Sequence, residues 1–202
     1  MKLYYSPGAC SLGIHVLLEE IGKPYEAEKV DLRTPVAERP LSRVNPKSKV
    51  PTLVRDDGSI LTEYPAIAFW LARTNPQKHL IPEDIEGQTR VLEATDFCVA
   101  TMHMQGFSRI FAARRAATEA ERDSMIAQGR DIATRALVRA DGMLAGKPWL
   151  VGDFSIADTA LFYCCTWAPP FEVALPPNVA AHFERMKARP AVQATLQAEG
   201  LA

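Results

Sequence analysis

The chain has 202 residues, 48% hydrophobic and 23% charged, an ordinary globular composition long enough to build one large core or two modest ones and to fold alone. Its 23 basic and 24 acidic residues leave a formal net charge of −1, which excludes the uniformly basic face expected of a nucleic-acid or anionic-membrane binder. Cys10, Cys98, Cys164 and Cys165 are too few and too irregularly placed for a secreted disulfide framework.

Residues 2–5 read as a short buried strand, broken by Ser6-Pro7-Gly8. That break also interrupts the N-terminus before a signal peptide's apolar region could form, and no apolar run reaches the roughly 18 residues of a membrane span. A reducing cytoplasm is therefore the expected setting, with Cys10 a free thiol. Leu12, Val16, Leu17 and Ile21 mark an amphipathic helix that ends at Gly22. A strand over residues 25–30 completes a βαβ unit, whose crossover helix should pack on a parallel pair. Residues 34–49 are polar and proline-bearing and read as an irregular connection with at most one helical turn. Two short strands, 52–55 and 59–61, flank Asp56-Asp57-Gly58, a strong hairpin signal, and should pair antiparallel. A helix over residues 63–74 carries Ile67, Trp70 and Leu71 on one face and closes the block.

Beyond Pro82 every long segment has helical period. The expected helices begin near Glu86, near Thr118 with a capping box, at Ser155, around Val179 and after Pro190. The expected organisation is an α/β domain over residues 1–80, of order βαβ-ββα, followed by an all-helical domain over residues 87–202.

Chemistry concentrates in the first part. Cys10 falls at the entry to the first helix, where unpaired N–H groups and the helix dipole favour a thiolate. Cys98, Cys164 and Cys165 lie within helices, where core packing is the ordinary role. Val50-Pro51 precedes the third strand; about 5–6% of X-Pro bonds are cis, so trans is expected, while a cis bond would expose the Val50 N–H and C=O to a peptide-like ligand. Glu63 and Tyr64 open the next helix, where backbone N–H groups suit a carboxylate and the Glu63 side chain an ammonium; an acidic first-turn residue also simply complements the helix dipole. His103 lies alone on a helix, where surface or core placement is the commoner role. Ser155-Ile156-Ala157-Asp158 is a capping signature that serves folding. There is no HExxH, paired CxxC, GxxxxGK[ST] or GxSxG, so no metal is expected, nor P-loop or hydrolase chemistry.

A βαβ-ββα block with a cysteine after its first strand and Val-Pro before its third resembles the thioredoxin fold. Tyr4-Tyr5-Ser6-Pro7-Gly8-Ala9-Cys10-Ser11, Val44-Asn45-Pro46-Lys47, Val50-Pro51-Thr52-Leu53, Leu61-Thr62-Glu63 and Phe154-Ser155-Ile156-Ala157-Asp158, taken in order over the whole chain, resemble a beta-class bacterial glutathione transferase. The resemblance implies glutathione as co-substrate, a small apolar electrophile as second substrate, and a homodimer. It makes Cys10 the active-site cysteine, able to form a mixed disulfide, and gives Val50, beside Pro51, the backbone pairing with the cysteinyl unit. Glu63 and Tyr64 match the γ-glutamyl site, although a small residue is usual where Tyr64 stands. His103 matches the histidine near the thiol, Asp96 a polar helix residue near the ligand, and Arg33 a residue for the glycyl carboxylate, with Pro35 where a basic residue often follows. Phe107, Phe111 and Trp167 are candidates to line the electrophile's surface, with core packing the alternative for each.

Two other readings remain. A glutaredoxin-like thiol-disulfide oxidoreductase is favoured by Cys10 but lacks the second cysteine of a CxxC pair. A noncatalytic binding module on the same fold is the other, since fold alone does not establish activity.

Overall fold

The computed structural model describes residues 1–202. Its first strand, β1 (Lys2–Tyr5), is the hub of a four-stranded sheet of order β2-β1-β3-β4. On one side β1 pairs in parallel with β2 (Glu26–Lys29), setting Leu3 against Ala27. On the other it pairs antiparallel with β3 (Thr52–Val54), setting Leu3 against Leu53. The sheet then continues antiparallel to β4 (Ile60–Thr62), with Leu53 opposite Leu61. The Leu3 and Leu53 side chains are fully buried, so a one-residue slip would turn both strands' apolar faces outward. β2, with sequence Glu-Ala-Glu-Lys, is mostly exposed; its charges suit an edge strand, and Lys2 ion-pairs with Glu28 at 2.6 Å.

Helix α1 (Ser11–Ile21) is buried along nearly its whole length and stops at Gly22, whose φ of 71° and N–H bond to the Leu18 carbonyl at 3.0 Å form a left-handed cap. The connection expected to be irregular contains two 3₁₀ turns, Val36–Glu38 and Pro40–Arg43. Arg39 holds it together by donating to the carbonyls of Thr34 at 2.8 Å and Ser48 at 2.9 Å. The expected Asp-Gly hairpin forms, with Gly58 at φ 79° and the Arg55 N–H bonded to the Ser59 carbonyl at 2.9 Å. Helix α2 (Tyr64–Arg73) follows β4 directly.

The chain divides into two compact units, one of Met1–Leu80 with Lys187–Ala202, the other of Ile81–Met186. The sequence suggests an all-helical domain over 87–202, and in this division its last helix falls with the first unit. The last helix, α8 (Pro190–Glu199), belongs with the α/β block because it packs on α1. Arg189 bonds Glu20 at 2.6 Å near one end and Glu199 bonds His15 at 2.9 Å near the other, with Val192 and Thr195 buried between. Helical periodicity marks an element as helix but carries no record of what it packs against.

The helical unit contains α3 (Ile85–Asp96), a π-helical stretch Phe97–Phe107, α4 (Ser108–Ala112), α5 (Glu119–Met143), α6 (Ile156–Trp167) and most of α7 (Pro177–Lys187). The Thr118 side chain caps α5 by accepting the Glu121 N–H at 3.1 Å, while Glu121 reaches back to the Ala117 N–H at 2.8 Å. Ser155 and Asp158 form the expected capping box at α6. Asp158 does more than cap. Its buried carboxylate also accepts the Leu150 N–H at 3.0 Å and meets His182 Nε2 at 3.0 Å, so it joins α6, the preceding turn and α7. Removing a helix cap costs about 1 kcal/mol, whereas a buried acceptor whose loss orphans several donors costs about 3 kcal/mol. Ser155→Ala is therefore expected to lower unfolding stability by about 1 kcal/mol and Asp158→Ala by about 3 kcal/mol; urea unfolding curves giving equal losses for the two would show that Asp158 is only a cap.

Candidate active site

Between β1 and α1 the chain turns sharply, with the Ala9 N–H bonded to the Ser6 carbonyl at 2.9 Å and Gly8 at φ 68°, a conformation that favours glycine. Ser11 braces the turn by accepting the Ser6 N–H at 3.1 Å. Cys10 is the N-cap of α1, as expected from the sequence. Its thiol donates to the Val50 carbonyl at 3.4 Å. Val50, in turn, precedes a cis peptide bond to Pro51, against the expectation of trans. The approach to Val50 is pinned by Asn45, whose amide donates to Thr52 Oγ1 at 2.8 Å, and by Thr52, which donates to the Lys49 carbonyl at 2.7 Å. Asn45 belongs to a motif noted in the sequence, but its bracing of Val50 was not legible there.

Glu63 is the N-cap of α2, with φ 71° and ψ 125°. A non-glycine residue there costs on the order of 1–3 kcal/mol, and such outliers persist where a site requires them. The exposed Glu63 carboxylate pairs with Lys47 at 2.6 Å, and Lys47 also donates to Thr62 Oγ1 at 3.0 Å. Tyr64 is turned into the core, 4% exposed, so its bulk does not crowd the start of α2. Arg33 projects into solvent, its side chain 89% exposed, and forks onto Asp31 at 3.2 Å. The Asp31 carboxyl is held below its ordinary range first by the backbone N–H of Arg33 and then by the guanidinium. Arg33 is thus engaged with Asp31 and makes no bond to the Cys10–Val50 group.

In the helical unit, His103 sits on the π-helical stretch, where plain α-helix was expected. Its Nδ1 lies 3.3 Å from the Tyr163 hydroxyl and its ring meets Trp167 edge-on at 4.8 Å. Phe107 and Phe111 also pack on Trp167, at 5.6 and 5.1 Å. Phe107 is fully buried and serves the core, whereas Phe111 and Trp167 keep partial exposure. Asp96 ends α3 and is exposed. π-helical stretches are enriched at functional sites, and here the two-domain pattern of the sequence held no signal for one. No three His, Cys, Asp or Glu side chains cluster in a way that could hold a metal, and no helix is long and apolar enough to cross a membrane.

Two family descriptions match the chain: "Glutathione S-transferase, N-terminal domain" over residues 8–74 and "Glutathione S-transferase, C-terminal domain" over residues 98–190. Glutathione S-transferase GstA of Escherichia coli O157:H7 is 36% identical over the full length of both chains. The chain belongs to the glutathione S-transferase family. Glutathione S-transferase GST-4.5 of Xanthomonas campestris pv. campestris is likewise 36% identical with full coverage of both. Among solved structures, a sphingomonad glutathione S-transferase complexed with glutathione superposes with a TM-score of 0.88 at 36% identity, covering all of both chains. A bacterial beta-class glutathione S-transferase of Sphingomonas chungbukensis does so with a TM-score of 0.84 at 33% identity, again covering all of both.

In this glutathione S-transferase the surroundings act on the Cys10 thiol in two opposite directions. Burial pushes the thiol up to about 12, and the Glu63 carboxylate adds to that push. The backbone N–H groups of Cys10 and Ser11 and the charge of Lys49 act in the opposite direction, but they do not offset desolvation. The helix N-terminus acts as anticipated, pulling the thiol's pKa down, and desolvation outweighs it. Lys49 was not singled out in the sequence, because only the fold brings its charge to bear on Cys10. Alkylation of Cys10 by iodoacetamide in the ligand-free protein should accelerate about tenfold per pH unit from about pH 7 to about pH 10 with no plateau. Peptide mass spectrometry showing a plateau near pH 8.5 would contradict the burial argument.

Proposed function

We propose that this glutathione S-transferase binds glutathione along the α1–β3–α2 edge of its α/β unit and uses Cys10 for glutathione-dependent redox chemistry beside conjugation to small apolar electrophiles. The observation that carries the reading is the 3.4 Å contact of the Cys10 sulfur with the Val50 carbonyl at the entry to α1. Strand-like pairing of a peptide ligand with Val50 would bring the ligand's cysteinyl amide to that same carbonyl. The amide then competes with the Cys10 thiol for one acceptor, so the ligand's arrival frees the sulfur. Glu63 and the backbone of residue 64 receive the γ-glutamyl ammonium and carboxylate at the start of α2. Lys47 shares Glu63 and yields to the ligand at little cost, because exposed ion pairs are worth about 0–1 kcal/mol. The same holds for the Arg33–Asp31 pair if Arg33 turns to the glycyl carboxylate.

In conjugation, the glutathione thiolate attacks the electrophile's carbon and the leaving group departs with its bonding pair; holding both reactants together supplies the rate advantage. The reading assigns His103, Asp96 and the Phe111–Trp167 surface to the helical unit's share of this work. In disulfide reduction, the Cys10 thiolate attacks the glutathionyl sulfur of a mixed disulfide and expels the substrate thiolate. A second glutathione thiolate then attacks the Cys10-bound glutathionyl sulfur, releasing oxidised glutathione and regenerating Cys10. Two thiolates in one pocket repel, which favours using the two sulfurs in turn rather than together. Cys98, Cys164 and Cys165 are buried in the helical core, outside any disulfide, and the reading gives them no part in the chemistry. A cytoplasmic homodimer completes the proposal.

Cys10→Ala separates the two activities. Turnover of a glutathionylated substrate should fall at least about 100-fold, with loss of the trapped Cys10–glutathione adduct by intact mass, while conjugation of a chlorinated nitroaromatic changes less than about tenfold. Unchanged disulfide reduction in the variant would remove Cys10 from the reaction. Rapid disulfide turnover by the parent with no conjugation at all would favour the glutaredoxin-like reading.

A further inference from the structure

The α/β unit contains a buried carboxylate that the proposed chemistry does not use. Glu199, the last residue of α8, has a side chain with no exposed surface. One of its oxygens accepts the backbone N–H of Gly8 at 2.9 Å. The other meets Nδ1 of His15 at 2.9 Å, a ring that is itself 1% exposed. Gly8 belongs to the turn that delivers Cys10, two residues before it. His15 lies on α1, the helix that Cys10 caps. A single carboxylate therefore ties the two segments on either side of the sulfur to each other and to the C-terminal helix.

The surroundings make this tie rigid. The His15 ring is held between Tyr5, at 5.1 Å, and Tyr25, edge-on at 5.7 Å, and the Tyr25 hydroxyl bonds Glu19 on the same helix. Leu201 comes within 3.9 Å of where a Gly8 side chain would stand, so the residues after α8 also lie against the turn. Gly200, at φ 72°, ends α8 with N–H bonds to the helix's last carbonyls and turns the chain toward that contact. Arg189 fastens the far end of α8 to Glu20. Burying a carboxylate is expensive unless hydrogen bonds satisfy it, and truncating one partner of such a group leaves the others orphaned.

We propose that Glu199 is a positioning residue for Cys10, setting the Ser6–Cys10 turn so that the sulfur stays against the Val50 carbonyl until glutathione arrives. The proposal rests on the reading of Cys10 and Val50 as the glutathione site. It predicts that releasing the Gly8 N–H lets the turn drift, exposes the sulfur prematurely and misaligns the edge that receives the ligand.

The test compares Glu199→Ala, Glu199→Asp and Glu199→Gln. Aspartate keeps the buried charge but is one methylene too short to reach both partners; glutamine keeps an acceptor for Gly8 and a polar group for His15 without the charge. In Glu199→Ala and Glu199→Asp, alkylation of Cys10 by iodoacetamide without glutathione should be at least about fivefold faster than in the parent. Their KM for glutathione should rise about tenfold while kcat stays within about threefold. Glu199→Gln should restore both values to within about twofold of the parent. If Glu199→Ala does not fold, Glu199→Asp carries the comparison. Alkylation at the parent rate in the aspartate variant would overturn the proposal even if its melting temperature fell, as would a glutamine variant that behaves like alanine. The alkylation readout needs no glutathione, so its failure is distinct from failure of the Cys10 assignment, which the Cys10→Ala experiment reads separately.

Discussion

β1 is hydrogen-bonded along both edges, and most of what matters in this protein follows from that. A strand paired with β2 on one side and β3 on the other cannot shift register without breaking two ladders and exposing Leu3. Its C-terminal end is consequently a fixed point from which the Ser6–Cys10 turn departs. Because β3 is the neighbouring strand, Val50, two residues before it, arrives beside that turn. The contact between the Cys10 sulfur and the Val50 carbonyl is thus a product of strand order, with the two residues 40 positions apart in the chain.

The same packing that places the sulfur also sets its protonation. Helix N-termini stabilise anions through N–H groups and the dipole, worth roughly 0.3–1 kcal/mol at exposed sites and up to about 2 kcal/mol in partly buried ones. Desolvation of a thiolate shifts its pKa by up to several units, and each unit corresponds to about 1.36 kcal/mol. At Cys10 the second effect is larger. The helix entry and the burial around the sulfur thus pull its pKa in opposite directions, and the balance is set by how closely the neighbouring segments pack over it.

The helical unit is organised by different means. Asp158 gathers α6, α7 and the Leu150 turn through one buried carboxylate, while Trp167 is the ring on which His103, Phe107, Phe111 and Tyr163 converge. Close approach of the π-helical stretch to α5 requires small residues: a side chain at Gly129 would meet Ile110 at 2.6 Å and the Gly106 carbonyl at 2.9 Å. Polar knots and aromatic contacts of this kind are assembled from residues far apart in the chain, so no local pattern announces them.

What the sequence determined alone was local and periodic. The βαβ-ββα order, the Asp-Gly hairpin, the Gly22 stop, the Ser155–Asp158 cap and the placement of Cys10 at a helix entry each depend on backbone preferences within a few residues, and family likeness added glutathione to them. Tertiary structure decided the remainder. The docking of α8 on α1, the inward turn of Tyr64, the commitment of Arg33 to Asp31, the reach of Lys49 and Glu199 toward the Cys10 turn, and the upward push on the Cys10 thiol all arise from contacts between distant segments. Burial is their common cause: the solvent removed from around a group depends on every segment that packs over it, and a linear pattern records none of those.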